Sequence, residues 1–168
     1  MYKSLKKFKN IVVSGPQRSG TRIAAKILAE ETDKTYIDEK RIHYHALRLL
    51  NIHLNIGNVV IQCPGLCHLL HYILRKDTLI IVIRRDINEI IASEQRCWDD
   101  SYRDIELYKY GCTKGIISTI KYDFWEDVQK PILGKMAREI DYQFLEKHPL
   151  FIKNRKNFKW DQTENDKS

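Results

Sequence analysis

The sequence lacks any long hydrophobic run. Its longest uninterrupted aliphatic stretch is Leu79 to Ile83, whereas a helix that crosses a bilayer needs about 20 consecutive apolar residues. The apolar stretch near the N-terminus, Ile11 to Val13, is too short for the core of a signal peptide. We therefore expect no membrane-spanning segment, no membrane partner and a cytoplasmic location.

Cysteine and proline are scarce, with four of each in 168 residues. Because 43% of the residues are hydrophobic, a chain of this length can bury a core of its own without disulfide bonds. We therefore expect the cysteines to be reduced thiols. Length and composition predict a single domain over residues 1–168, with a basic N-terminal segment and a polar C-terminal tail from about residue 161.

Negative charge is in deficit, since 22 acidic residues face 29 lysines and arginines and the formal net charge is +7. This excess favours an anionic partner but does not separate a nucleotide from a nucleic acid. A nucleic-acid-binding module therefore stays an alternative, with the N-terminal lysines and the aromatic rings of Phe8, Phe158 and Trp160 as contacts. Such binding would weaken steeply as salt is added.

Short β-branched segments alternate with segments of helical periodicity in the first hundred residues. Strands are predicted at 10–14, 36–38, 58–63 and 78–83. Helices are predicted from 21, at 40–53, 66–75 and 86–96, and later at 113–128 and 134–147. The run from Thr78 to Ile83 is apolar on both faces, as in a central parallel strand. The pattern predicts a three-layer α/β/α fold with a central parallel sheet.

A loop of small and polar residues follows the first predicted strand. Gly15-Pro16-Gln17-Arg18-Ser19-Gly20-Thr21 has the two-glycine spacing of a phosphate-binding loop. Thr21 stands where such a loop carries its lysine, and Arg22 where it carries the magnesium-binding hydroxyl. The helix N-terminus after the loop and the charge of Arg18 favour an anion. We therefore predict a phosphate site that differs from the loop of an ATPase.

The segment from Gln17 to Thr21 resembles the Pro-Lys/Arg-Ser-Gly-Thr loop of the P-loop sulfotransferases. The resemblance implies a sulfotransferase that takes its sulfuryl group from 3′-phosphoadenosine 5′-phosphosulfate and needs no metal. It also implies that Arg18 is the catalytic cation. The residues that it assigns to the 5′-phosphosulfate are Gln17, Arg18, Ser19, Gly20, Thr21 and Arg22.

A second signature of this family is an arginine at a strand end and a serine eight residues later, which bind the 3′-phosphate of the donor. Arg85 and Ser93 have that spacing. Asp86 and Glu89 form a capping box that starts the intervening helix. Two phosphate signatures at strand carboxyl ends would hold both ends of one nucleotide in the crevice where open α/β sheets bind ligands. A looser resemblance extends to the basic and aromatic segment 155–160.

The sequence departs from the family at the general base. Soluble sulfotransferases carry a histidine near the end of the strand predicted at 58–63, where this chain has Cys63 and Pro64. We predict that His68, a few residues further on, removes the acceptor proton. Alternative bases are Asp38, Glu39 and His43. The acceptor, a hydroxyl or an amine on a small molecule or a macromolecule, is not identified by any motif.

Three further interpretations rank below this one. A P-loop nucleotide kinase would share the sheet and the loop but would lack the lysine at Thr21. A protein that binds the donor without turnover is a second alternative. The third is a zinc site, which is disfavoured because adjacent residues on a helix point about 100° apart; its ligands would be Cys63, Cys67, His68 and His71. Tyr122 and Tyr142 are predicted to pack in a helical layer over the sheet, with an acceptor pocket as the alternative.

Overall fold

The computed structural model describes residues 2–43, 46–98 and 111–160, and of residues 95–98, 111–116 and 155–160 it describes only the backbone. Five parallel strands form one sheet in the order β2-β3-β1-β4-β5. The strands are β1 (Asn10–Ser14), β2 (Thr35–Ile37), β3 (Val59–Gln62), β4 (Thr78–Arg84) and β5 (Ala137–Asp141). In the centre, Val12 of β1 aligns with Ile61 of β3 and Ile80 of β4.

Helices connect the strands in the described ranges. They are α1 (Thr21–Thr32), α2 (Leu47–Ile56), α3 (Ile87–Trp98), α4 (Gly111–Phe124), α5 (Lys130–Leu133), α6 (Tyr142–Glu146) and α7 (Pro149–Trp160). A π-helical turn, Trp125–Gln129, joins α4 to α5. Shorter 3-10 turns lie at Lys3–Lys7, Glu39–Ile42, Pro64–Leu66, Leu70–Tyr72 and Gly134–Met136. No described helix is both long and apolar enough to cross a membrane.

The core lies on both faces of the sheet, because alternate side chains of the central strands point in opposite directions. On one face, Val12 and Val82 pack in a cluster with Leu50 of α2 and with Trp125. The other face is covered by α1, α6 and α7, whose buried residues join Ile11 and Val13 of β1; they are Leu28, Leu145 and Phe151. The predicted three-layer α/β/α fold with a parallel central sheet is confirmed.

The predicted helix at 66–75 is wrong, since this segment forms two 3-10 turns. The reason lies in Gln129, a buried residue of the π-helical turn. Its side-chain amide donates to the Cys67 carbonyl at 2.8 Å, and its oxygen accepts from the His71 amide at 3.2 Å. These backbone groups are satisfied by a side chain, so the segment does not need helical hydrogen bonds.

The predicted helix at 134–147 is also wrong, because it contains β5. Only Ala137 and Ile140 of this strand are buried, a spacing that also fits one face of a helix. The open edge of β4 decides between the two: Ala137 pairs with Ile80 and Ile140 with Ile83. Further along the chain, α7 occupies the segment from Pro149, where no helix is predicted. The predicted polar tail from 161 lies outside the described residues.

Candidate functional site

The loop between β1 and α1 folds tightly on itself. Gly15 and Gly20 have φ angles of 146° and 96°, which strongly favour glycine. A Cβ atom at Gly15 would lie 2.7 Å from Ser19 Oγ, and one at Gly20 would collide with the Tyr142 ring. The Ser19 amide donates to the Pro16 carbonyl at 3.2 Å and closes the turn. Both glycines are therefore required by close approach.

This loop leads into the N-terminus of α1. Gly20 is the N-cap residue and supplies no capping side chain, and the first turn of the helix contains no acidic residue. The N–H groups of a first helical turn have no partners within the helix, and the helix dipole is positive there. The backbone N–H groups from Gly20 to Arg22 can therefore bind an anion.

Arg18 extends from the loop to α3. Its guanidinium donates from both Nε and Nη2 to Ser93 Oγ, each at 3.2 Å, although the two residues are 75 positions apart in the chain. Its φ angle of 67° is left-handed, a conformation that costs about 1–2 kcal/mol for a residue other than glycine. The sulfotransferase resemblance places Arg18 and Ser93 at opposite ends of a donor, whereas in the structure their side chains are in contact.

Arg85 follows β4 and reaches the same loop. Its Nη1 donates to the Arg18 carbonyl at 2.9 Å, and its Nε donates to the Glu89 carboxylate at 3.1 Å. The guanidinium carbon lies 3.9 Å from the centre of the Tyr142 ring. Only 13% of the Arg85 side chain is exposed. The loop, α3 and α6 therefore each hold this arginine on one side.

The predicted capping box begins α3 through one of its two residues. The Asp86 carboxylate accepts hydrogen bonds from the amides of residues 88 and 89.

Tyr122 of α4 supports the end of β4 from the other face of the sheet. Its hydroxyl donates to the Ile83 carbonyl at 2.9 Å and accepts from the Arg85 amide at 3.0 Å. Burial raises the pKa of Tyr122 to about 12, so the hydroxyl keeps the proton that it donates. Ser19 Oγ lies near this hydroxyl; it is buried and has no hydrogen-bond geometry with any described residue. The two hydroxyls are close enough to interact, and the Ser19 hydroxyl can rotate to donate to a ligand oxygen instead.

The remaining loop residues connect to the ends of β2 and β3. Gln62 donates to Thr21 Oγ1 at 3.2 Å, and its oxygen accepts from the Glu39 amide at 3.4 Å. Arg22 Nε lies 3.4 Å from Asp38 Oδ2. Arg22 is therefore paired with a carboxylate, and Thr21 is buried against Gln62. Gln17, predicted to touch the donor, is exposed in the loop.

Glu39, at the carboxyl end of β2, is half-buried. Desolvation is the main reason that its pKa is raised, and the negative charge of Asp38 adds to the increase. The hydrogen bond to Gln62 acts in the opposite direction. A carboxylate with a raised pKa accepts a proton more readily, which is the property that a general base needs.

His68 is exposed, between the two 3-10 turns that follow β3. Its role as a base stays a prediction. The neighbouring thiols of Cys63 and Cys67 are buried, and burial raises the pKa of both, so neither forms a thiolate ligand readily. His71 contacts Gln129 instead, with Nδ1 at 3.1 Å from the amide oxygen. Among the described residues, no group of three or more His, Cys, Asp or Glu side chains is arranged to hold a metal ion.

Sequence reasoning missed Gln62, and it gave Tyr122 and Tyr142 only as residues that pack over the sheet or line an acceptor pocket. Gln62 had a local signal, because it is a polar residue at the end of a β-branched strand. Tyr122 and Tyr142 had none: their contacts with the arginines exist only because the sheet places α4 and α6 beside the end of β4. The side chains of the basic and aromatic segment 155–160 lie outside those described.

Comparisons with known proteins add the fold relationship. The structure is similar to that of shikimate kinase from Acinetobacter baumannii, solved in complex with shikimate, with a TM-score of 0.54 over 93% of this chain and 99% of that chain. This similarity agrees with the three-layer α/β/α fold around a five-stranded parallel sheet. At 15% sequence identity the likeness extends to the fold alone. No family model matches the chain, and no curated protein matches its sequence.

Proposed function

We propose that this protein binds 3′-phosphoadenosine 5′-phosphosulfate as a substrate and transfers its sulfuryl group to a hydroxyl or amine acceptor. The observation that supports this best is the convergence of two distant segments. Arg18 in the loop donates to Ser93 of α3, and Arg85 at the end of β4 donates back to the Arg18 carbonyl. The sulfotransferase resemblance rests on the same three residues.

The proposed binding mode uses donors already present at the site. The backbone amides from Gly20 to Arg22 hold the 5′-phosphate. The buried Ser19 hydroxyl supplies a further donor. Arg85 and Ser93 bind the 3′-phosphate, for which a planar guanidinium is well suited. Binding requires the Arg18 guanidinium to leave Ser93 and turn toward the 5′ end.

The transfer moves a sulfuryl group between two oxygens, or from oxygen to nitrogen. A new bond forms between the acceptor atom and sulfur as the bond between sulfur and the bridging phosphate oxygen breaks. The negative charge that develops on the leaving phosphate is stabilised by Arg18 and the α1 N-terminus. The acceptor proton passes to a base. Once Arg18 has turned toward the 5′ end, Arg18 and the α1 N-terminus both face the leaving phosphate.

Glu39 is the base that the structure favours over His68. It is half-buried beside Gln62, which contacts Thr21 of the loop, and its pKa is raised. We expect Glu39→Gln to abolish transfer while leaving donor binding intact. His68→Ala should retain transfer. The opposite pattern would restore His68 as the base.

A thermal-shift series tests donor recognition. We expect 3′-phosphoadenosine 5′-phosphate to raise the melting temperature more than AMP or ATP at equal concentration, because a tighter ligand stabilises the folded state more. Ser93→Ala should reduce this difference. Ser118→Ala, at a buried serine of α4, is the matched control and should keep it. Equal shifts for the three nucleotides in the unmodified protein would reject the proposal.

A second candidate is phosphoryl transfer from a nucleoside triphosphate, which the fold likeness to shikimate kinase favours. The loop argues against it, because Thr21 lacks the positive charge that would bridge the transferred phosphate. Arg22, at the position of the magnesium-binding hydroxyl, is paired with Asp38. A larger thermal shift with ATP and magnesium than with 3′-phosphoadenosine 5′-phosphate would favour this candidate over the first.

A further inference from the structure

Tyr142 occupies the junction between the two segments that bind the proposed donor. Its ring blocks the space that a Cβ atom at Gly20 would need, and its face lies 3.9 Å from the guanidinium carbon of Arg85. The tyrosine itself is 7% exposed. Phe151 of α7 supports it from behind, with the two rings nearly perpendicular at 6.2 Å. One ring therefore contacts both the loop and the arginine.

Stacking against a ring has a specific consequence for an arginine. The ring holds the guanidinium by its face, through attraction between the cation and the π electrons. The N–H groups lie in the guanidinium plane and stay available for hydrogen bonds. Glu89, the other side-chain partner of Arg85, instead occupies an N–H group and is 44% exposed. Tyr142 therefore fixes Arg85 without competing with an anion for its donors.

We propose that Tyr142 is a positioning residue that orients Arg85 for the second phosphate of the donor, and so sets the preference for nucleotides with a 3′-phosphate. The inference rests on the proposed function for the identity of the ligand. The orientation of Arg85 is a property of the protein without ligand, so this part of the inference is independent of the proposed function. Two measurements separate these parts.

The first measurement compares two ligands on three proteins. Calorimetry gives the affinity of the unmodified chain, Tyr142→Phe and Tyr142→Leu for 3′-phosphoadenosine 5′-phosphate and for AMP, which lacks only the 3′-phosphate. Leucine keeps an apolar contact with Gly20 but removes the π face. We expect Tyr142→Leu to weaken the first ligand roughly fivefold to tenfold and AMP less than about twofold. Tyr142→Phe should behave as the unmodified chain does.

The second measurement needs no nucleotide. Phenylglyoxal modifies accessible guanidinium groups, and peptide mass spectrometry follows Arg85 separately from the other arginines. Loss of the ring face should accelerate modification of Arg85 in Tyr142→Leu but not in Tyr142→Phe. Arg75, at the amino end of β4 and paired with Asp77, is the internal control and should react at the same rate in all three proteins.

The outcomes are distinct. If Tyr142→Leu leaves both the nucleotide preference and the Arg85 reaction rate unchanged, the inference is overturned. Equal losses in Tyr142→Phe and Tyr142→Leu would overturn it as well, because the ring face would then be irrelevant. If the unmodified chain has no preference for the 3′-phosphate, the proposed function fails, while faster Arg85 modification in Tyr142→Leu still supports the positioning role.

Discussion

Arg84 and Arg85 are neighbours in the sequence, yet they belong to different regions of the molecule. Each stacks on a tyrosine, with guanidinium distances of 4.4 Å from the Tyr122 ring and 3.9 Å from the Tyr142 ring. Each also has a glutamate partner: Glu139 at 3.9 Å from Arg84, and Glu89 at 3.1 Å from Arg85. Both arginines therefore combine a tyrosine ring with a carboxylate, although only the Arg85 pair is within hydrogen-bonding distance.

The two arginines differ in the face of the sheet on which they lie. Successive residues of a strand point to opposite faces, so Arg84 joins the layer of Trp125 and Lys130, while Arg85 joins the layer of α1 and the loop. Only Arg85 donates to Arg18. The difference teaches that position relative to the loop separates the arginine of the proposed donor site from its neighbour.

The largest effect is expected on the Arg84 side. Trp125 is fully buried, and its indole N–H donates to Glu139 at 3.0 Å. Trp125→Ala should lower the free energy of unfolding by about 3–5 kcal/mol, measured by urea denaturation, and Trp125→Phe by less. The ratio of affinities for 3′-phosphoadenosine 5′-phosphate and AMP should not change. A change in that ratio would show that the Arg84 side takes part in binding.

The arginines themselves give the most direct comparison. Arg85→Ala should weaken binding of 3′-phosphoadenosine 5′-phosphate by at least roughly 30-fold, because a buried charge pair contributes about 2 kcal/mol or more. Arg84→Ala should weaken it less than about threefold. Calorimetry at constant ionic strength measures both. Equal losses in the two variants would remove the distinction between the regions.

Tyr122 links the two regions, because its hydroxyl bonds the backbone of Ile83 and Arg85. Tyr122→Phe leaves two backbone groups without their partner, and we expect a loss of about 1–2 kcal/mol in the free energy of unfolding. Tyr36→Phe removes a hydroxyl that bonds the side chain of Asp38, and is the matched control with a smaller loss. Similar losses would indicate that the Tyr122 hydroxyl has no special structural role.

The smallest effect is a pH dependence at Glu39. Its folded pKa is raised by burial, so between the unfolded and the folded pKa the folded chain binds more protons, and stability falls as the pH rises through that window. Above the window Glu39→Gln should therefore melt at a slightly higher temperature than the unmodified protein. Below the ordinary glutamate pKa of about 4.3 the two should melt alike. A lower melting temperature for the variant at pH 7 would contradict a raised pKa.

Much of the fold could be predicted from the sequence, because its central elements have strong local signals. The β-branched run before Gly15 and the doubly apolar β4 identify the strands of a parallel sheet. The edge strand β5 could not be predicted in the same way. β5 has only two buried side chains, and its conformation is decided by pairing with β4, which no local pattern reveals.

The candidate site likewise has some features that the sequence predicts and others that depend on the fold. The loop glycines and the spacing of Arg85 and Ser93 are visible in the chain, and in the structure Arg18 forms hydrogen bonds with both Ser93 and Arg85. Which arginine stacks on which tyrosine depends on how α4 and α6 lie against the sheet. The partnership of Glu39, Gln62 and Thr21 depends on the neighbouring ends of β2, β3 and β1. Such contacts join segments that are distant in sequence.

Because the backbone of Arg18 is left-handed, selection for stability and selection for turnover should favour different residues at this position. Glycine or asparagine at this position relaxes the main chain, so a randomised library screened only for heat resistance should accumulate them there. The same library screened for turnover should discard them, since the guanidinium disappears with the strain. The residue found at position 18 after selection therefore indicates whether the library was selected for the proposed transfer or for stability alone.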